Sequence, residues 1–187
     1  YYAYKGKDTA SAINYLLEIG NTFQEAKDDN KALEKYREAE ALSKKIKTRS
    51  SLLSSIYNLA EYYYQKDTAI AASYYKQAAA LALELGDKNK QIYTALSLGL
   101  LQNRQLKFAN GEVYFKKAFS TARAEQNIYD LAKCYTFIGT AAEIRLQYDS
   151  ALYYYNRAYH LFDSIQNKQQ LAELKVRLGN IYVELFD

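Results

Sequence analysis

Residues 139–158 read Gly-Thr-Ala-Ala-Glu-Ile-Arg-Leu-Gln-Tyr-Asp-Ser-Ala-Leu-Tyr-Tyr-Tyr-Asn-Arg-Ala. Within this stretch Gly139 is followed twelve positions later by Ala151, sixteen later by Tyr155 and nineteen later by Ala158. The same four points occur upstream as Gly99, Gly111, Phe115 and Ala118. They occur again as Ala60, Ala71, Tyr75 and Ala78, with one residue deleted, and first as Gly20, Ala32, Tyr36 and Ala39. A fifth copy opens at Leu178-Gly179-Asn180-Ile181-Tyr182. Self-similarity at a fixed spacing of 39 to 40 residues is the mark of a solenoid, in which each unit buries its apolar face only by stacking on its neighbours.

Each unit reads as two amphipathic helices. Leu16, Ile19, Gly20 and Phe23 recur at three- and four-residue steps, which places them on one helical face. Lys27-Asp28-Asp29-Asn30 interrupts that pattern, and Ala32, Leu33, Tyr36, Ala39 and Leu42 restart it. Gln65-Lys66-Asp67 and Gln147-Tyr148-Asp149 read as the corresponding turns. Gly20, Ala32 and Ala39 let two backbones approach, and Tyr36 fills the groove left between them. Between units, Leu85-Gly86-Asp87-Lys88, Glu125-Gln126-Asn127 and Ile165-Gln166-Asn167-Lys168 place Gly or Asn where a helix end calls for a left-handed residue. The expected fold is all-α: antiparallel hairpins in a right-handed superhelix, one array over 1–187. Its units fall at about 13–52, 53–91, 92–131 and 132–171, with the first helix of a fifth at 172–187.

Composition agrees. Proline is absent and the chain holds only seven glycines, which favours helices joined by short turns. The net charge of +4 divides evenly between the two halves, too weak a field for a nucleic-acid footprint. The densest basic cluster, Lys44, Lys45, Lys47 and Arg49, falls at a predicted helix end, where cations offset the dipole. No apolar run is long enough to span a membrane, so no membrane contact is expected within this stretch. The chain begins Tyr1-Tyr2 and contains no methionine, so a fragment or processed form of a longer protein is expected.

The small–small–aromatic–Ala spacing, with Asp149-Ser-Ala-Leu-Tyr-Tyr-Tyr155 and Leu178-Gly-Asn-Ile-Tyr182, resembles the tetratricopeptide repeat (TPR), in its long-helix variety. Arrays of this style resemble the sensing regions of bacterial kinases and regulators. The resemblance implies a non-enzymatic protein- or peptide-binding domain in signal transduction, periplasmic if a sensor region and otherwise cytoplasmic. The alternative is a free-standing scaffold that assembles other proteins. In the resembling family, ligands lie along the concave face lined by the first helix of each unit. Carried onto this chain, that face takes Asn21, Tyr57, Asn58, Glu61, Tyr64, Tyr93, Leu100, Asn103, Arg104, Phe137, Arg177 and Asn180 as peptide-binding residues. Amides satisfy peptide backbone groups and aromatics contribute buried area. Tyr57, Tyr64 and Tyr93 are expected as anchors outside the interhelical core, whereas Tyr63 and Tyr182 are expected to face inward. The carboxylate clamp of chaperone-binding members is not expected, because its basic positions carry Leu17, Tyr93 and Ser97.

No catalytic constellation is expected. His160 is the only histidine and Cys134 the only cysteine, which leaves no partners for a triad, a metal site or an intrachain disulfide. Cys134 reads as a small packing hydrophobe and His160 as a surface residue. No cofactor is implied. In the third unit Gln102 and Gly111 replace the usual aromatic and Ala, which predicts a looser hairpin there.

Overall fold

The computed structural model describes residues 9–186, with side chains to residue 185. Nine helices are found among them: α1 Thr9–Glu25, α2 Asp29–Lys45, α3 Arg49–Tyr63, α4 Thr68–Glu84, α5 Lys88–Arg104, α6 Phe108–Ala124, α7 Ile128–Ile144, α8 Tyr148–Ser164 and α9 Lys168–Phe186. Helices α1/α2, α3/α4, α5/α6 and α7/α8 form antiparallel hairpins, as the repeat spacing predicts. The helices divide into two compact units, one ending at Asp87 and the other beginning at Lys88.

In the unit formed by α1–α4, the core gathers Ile13, Leu17, Ala32, Tyr36, Ala39, Leu59 and Tyr62. A second cluster joins Leu53 and Ile56 to Ala78, Leu81 and Ala82. The inward stripe of α1 is therefore Ile13, Leu17 and Gly20, while Ile19, expected on that face, is exposed. In the unit formed by α5–α9, Tyr155 and Phe162 pack with Ala132, Ala142, Ala151, Ala158, Leu174 and Ile181.

In three of the four hairpins the closing contact is an aromatic ring laid on a glycine of the first helix; in α3/α4 the corresponding residue is Ala60. A β-carbon built on Gly20 would stand 2.5 Å from the Tyr36 ring, on Gly99 2.6 Å from Phe115, and on Gly139 2.7 Å from Tyr155. These separations are far inside van der Waals contact, so glycine there is a packing requirement. Gly111 is also explained, and differently from the looser hairpin expected: the carboxamide of Asn103 occupies the space that a methyl group on Gly111 would take. Gly179, at the same register on α9, meets nothing within 4 Å.

The turns correct one expectation. The left-handed residues after α6 and α8 are Gln126 (φ 53°) and Gln166 (φ 54°), not the asparagines. Asn127 and Asn167 instead cap the following helices, each accepting a bond from the backbone N–H three residues on, of Asp130 at 3.2 Å and Gln170 at 3.1 Å. Asp28 and Asp67 do the same for α2 and α4. Only Gly86 (φ 69°) fills its left-handed position with glycine. Tyr148 and Asp149, read as turn, belong to the first turn of α8. Of the basic cluster, Lys44 and Lys45 do end α2, but Arg49 opens α3 and pairs with Glu84.

The pair Gly139 and Gly179 tests this packing directly. Gly139→Ala should destabilise the protein by about 1–3 kcal/mol, since the ring beneath it has to move. Gly179→Ala should be neutral or stabilise by up to about 1 kcal/mol through helix propensity alone. Urea denaturation of both variants checks the contrast.

Candidate binding surface

In three of the four hairpins the first helix carries a polar node centred on the hydroxyl of the packed tyrosine. The Tyr36 hydroxyl lies 2.7 Å from Asn21 Oδ1 and 2.8 Å from Gln24 Oε1. Tyr75 donates to Glu61 Oε1 at 2.6 Å, and Tyr155 donates to Glu143 Oε2 at 2.6 Å with Thr140 Oγ1 3.1 Å away. The partners stand one and four residues after the Gly or Ala beneath the ring, where the helix turns them to the ring's far edge. Phe115 has no hydroxyl, and its corresponding positions are Leu100 and Asn103. Both are buried, so neither lies on an accessible surface, which corrects the expectation for these two residues. Asn103 turns inward, donating to the Gly99 carbonyl at 2.9 Å and accepting from Arg145 Nε at 2.7 Å.

The other expected residues are placed as follows. In the α1–α4 unit, Tyr57 and Tyr64 are half-buried and sit edge-on to Tyr75 at 6.0 Å and 6.5 Å, so both flank the core rather than stand clear of it. Asn58 is half-buried and donates to the Ser54 carbonyl at 2.9 Å. Asn21 and Glu61 are exposed on the outer side of their nodes. Tyr63 stacks on Tyr74 at 5.9 Å. In the α5–α9 unit, Arg104 and Asn180 are exposed, and Phe137 and Arg177 are half-buried. Tyr182, expected inward, is 49 % exposed.

Hydrogen bonds one repeat apart tie the first helices of this unit side by side. Tyr93 donates to Asp130 Oδ1 at 3.3 Å, Lys133 to Gln170 Oε1 at 2.6 Å, and Arg177 Nη1 approaches Thr140 Oγ1 at 3.5 Å. Burial raises the Tyr93 pKa, with the Asp130 charge adding to it, and burial also raises that of Asp130 and lowers that of Lys133. Sequence reading missed Asp130 and Gln170, buried polar residues that periodicity assigns no partner. Arg177 also bonds Glu173 at 3.3 Å, and its guanidinium lies 6.0 Å from the Tyr155 ring centre. Its Nε is buried without an acceptor among the described residues.

Cys134 is fully buried, which pushes its thiol up to about 12 and makes it a packing group. His160 is exposed. No group of three or more His, Cys, Asp or Glu side chains able to hold a metal is found among the described residues. No described helix is long and apolar enough to cross a membrane.

The nodes have a pH signature. Burial pushes both Tyr36 and Tyr155 up to about 12 from an ordinary 10.0. An acid whose folded pKa is raised contributes stability that is complete below the unfolded value and is lost as pH rises through the folded one. Unfolding monitored by circular dichroism should therefore show stability falling between pH 10.0 and about 12, and less steeply in a Tyr36→Phe/Tyr155→Phe variant. Separately, Asn103→Ala should cost about 1–3 kcal/mol by leaving Arg145 Nε without its buried acceptor, measured by urea denaturation.

No protein-family model and no curated protein sequence matches the chain. Solved structures do. A Rap protein in complex with competence and sporulation factor matches 92 % of this chain over 48 % of its own, at 19 % identity and TM-score 0.81. The Rap conjugation gene regulator of plasmid pLS20, in complex with the Phr* peptide, matches 93 % over 53 % of its own, at 16 % identity and TM-score 0.69. A STAND signal transduction ATPase with a tetratricopeptide repeat sensor, from Pyrococcus horikoshii, matches 96 % over 28 % of its own, at 17 % identity and TM-score 0.74. The chain thus spans about half of either Rap protein and just over a quarter of the ATPase. Likeness at these identities is likeness of fold, and the fold of this chain is that of the tetratricopeptide-repeat proteins.

Proposed function

We propose that the chain is a non-catalytic peptide- or protein-recognition domain, the sensing or interaction region of a larger signalling protein, with its hairpins acting as one array over 1–187. Recognition by TPR-fold proteins complexed with a peptide, such as the plasmid Rap regulator, supports the class of ligand. The observation that carries the reading is Arg177. Its Nε is a buried donor without an acceptor among the described residues. It is anchored through Thr140 Oγ1, one helical turn along α7 from Phe137. Phe137 is half-buried and, among the described residues, makes no ring pair. A peptide carbonyl or carboxylate meets the part-exposed outer nitrogens of the Arg177 guanidinium, and an apolar side chain covers the Phe137 ring.

Peptides selected against the chain from a displayed random library provide the test. Phe137→Ala and Arg177→Ala should each weaken the binding of at least one class of them by about tenfold or more in titration calorimetry. Circular dichroism should show both variants folded. Full affinity of every selected class for both folded variants would place recognition away from the first helices.

A further inference from the structure

A groove of about 910 Å³ runs between α6 and α8 with α7 as its floor. It continues into a second basin of about 440 Å³, and Phe119 and Arg123 line both. This is the second-helix side of the hairpins, distinct from the Phe137–Arg177 face. Ala141 and Ala142 make the floor low. Phe119 packs edge-on to Tyr135 at 5.3 Å, and Tyr135 stacks on Tyr154 at 6.3 Å, so an aromatic row crosses the groove.

The wall is basic, and only Arg145 among its described cations is paired with a carboxylate. Among the described residues, the side chains of Lys116 and Arg123 make no ion pair or hydrogen bond, and both residues are exposed. Arg157 bonds only the Tyr153 hydroxyl, at 3.3 Å. The one carboxylate among the described lining residues, Glu112, is neutralised by Arg145 at 3.3 Å.

The repeat supplies its own control. At the positions of Ala141 and Ala142, the α1–α4 unit carries Tyr62 and Tyr63. Tyr62 is buried, and Tyr63 stacks on Tyr74, the counterpart of Tyr154. The counterpart of Lys116 is Arg37, which donates to the Tyr63 hydroxyl at 3.3 Å. The counterpart of Arg123 is Lys44, which pairs with Glu40 at 2.6 Å. Phe119 stands where Glu40 does, so Arg123 has lost its carboxylate and the groove has gained an apolar ring. The same scaffold is thus filled in one unit, with Lys44 paired to a carboxylate, and open, aromatic and cationic in the other.

We propose that the α6–α8 groove receives an acidic amphipathic helical segment of a partner protein. Its apolar side chains would pack on Phe119, Tyr154 and the alanine floor, with Asp or Glu side chains meeting Lys116, Arg123 and Arg157. The lining on α7 runs from Leu131 to Arg145, about 21 Å at 1.5 Å per residue, the length of a helix of about four turns. Grooves between helices accept a third helix through anchors spaced three and four residues apart. A nucleic-acid strand suits the site less well: three cations over that length, above an apolar floor, neutralise few phosphates.

The test pans a displayed library of random peptides on the whole chain and measures selected synthetic peptides by fluorescence anisotropy. Peptides rich in Asp and Glu with apolar residues at helical spacing are expected. Lys116→Glu/Arg123→Glu should weaken them about tenfold or more. Ala142→Tyr, which restores the filling seen at Tyr63, should do the same. Arg177→Ala, on the other face, should leave them unchanged, which separates this site from the one proposed above. Circular dichroism confirms that each variant is folded. The proposal is overturned if no acidic enrichment emerges, or if both groove variants bind the selected peptides within about twofold of wild type. Displacement by a single-stranded oligonucleotide whose own binding needs Lys116 and Arg123 would also overturn it, in favour of nucleic acid.

Discussion

The packing of one aromatic ring against a side-chain-free patch of helix backbone sets the approach of the two helices in three of the four hairpins. Tyr36, Phe115 and Tyr155 each press on a glycine whose β-carbon would fall inside the ring's van der Waals envelope. The approach allows alanines such as Ala32, Ala39, Ala151 and Ala158 to bury completely on the facing helix. Burial of a large side chain is worth about 1.5–3 kcal/mol, and here that gain exists only if the opposite residue is small. The requirement recurs at fixed spacing, and for that reason the repeat is visible in a single sequence.

The ring also decides what the first helix can present. A buried phenol must find an acceptor or donor, and three of the four hairpins meet that need with polar side chains of the first helix. Asn21, Glu61 and Glu143 are thus half committed to the interior through Tyr36, Tyr75 and Tyr155. In the third hairpin the ring is Phe115, the demand vanishes, and Leu100 and Asn103 bury instead. Asn103 then needs Gly111 for room and Arg145 for its oxygen. One missing hydroxyl accounts for four other residues.

Hairpins, helix faces and turn positions were legible because they follow from period, small-residue spacing and polar breaks. The site was legible only in part. The register placed Arg177 and Phe137 on a first-helix face, where both are half-buried. It also placed Asn103 there, because periodicity assigns a face but not the direction in which a side chain finds its bonds. The left-handed residues were misread for a similar reason. Asn127 and Asn167 suit both a helix end and a helix start, and capping of the next helix prevails once the preceding glutamine takes the positive φ. The α6–α8 groove left a trace that becomes readable only when units are compared: Glu40 becomes Phe119, and Tyr63 becomes Ala142.

The coupling between ring hydroxyl and first-helix side chain is the claim on which the rest depends, and a double-mutant cycle measures it. Phe115→Tyr alone should destabilise the protein by burying an unpaired hydroxyl, and Leu100→Asn alone by burying an unpaired amide. Together they recreate the Tyr36–Asn21 node, so the double variant should be more stable than the sum of the singles by about 1–3 kcal/mol. Additivity within about 0.5 kcal/mol would contradict the account.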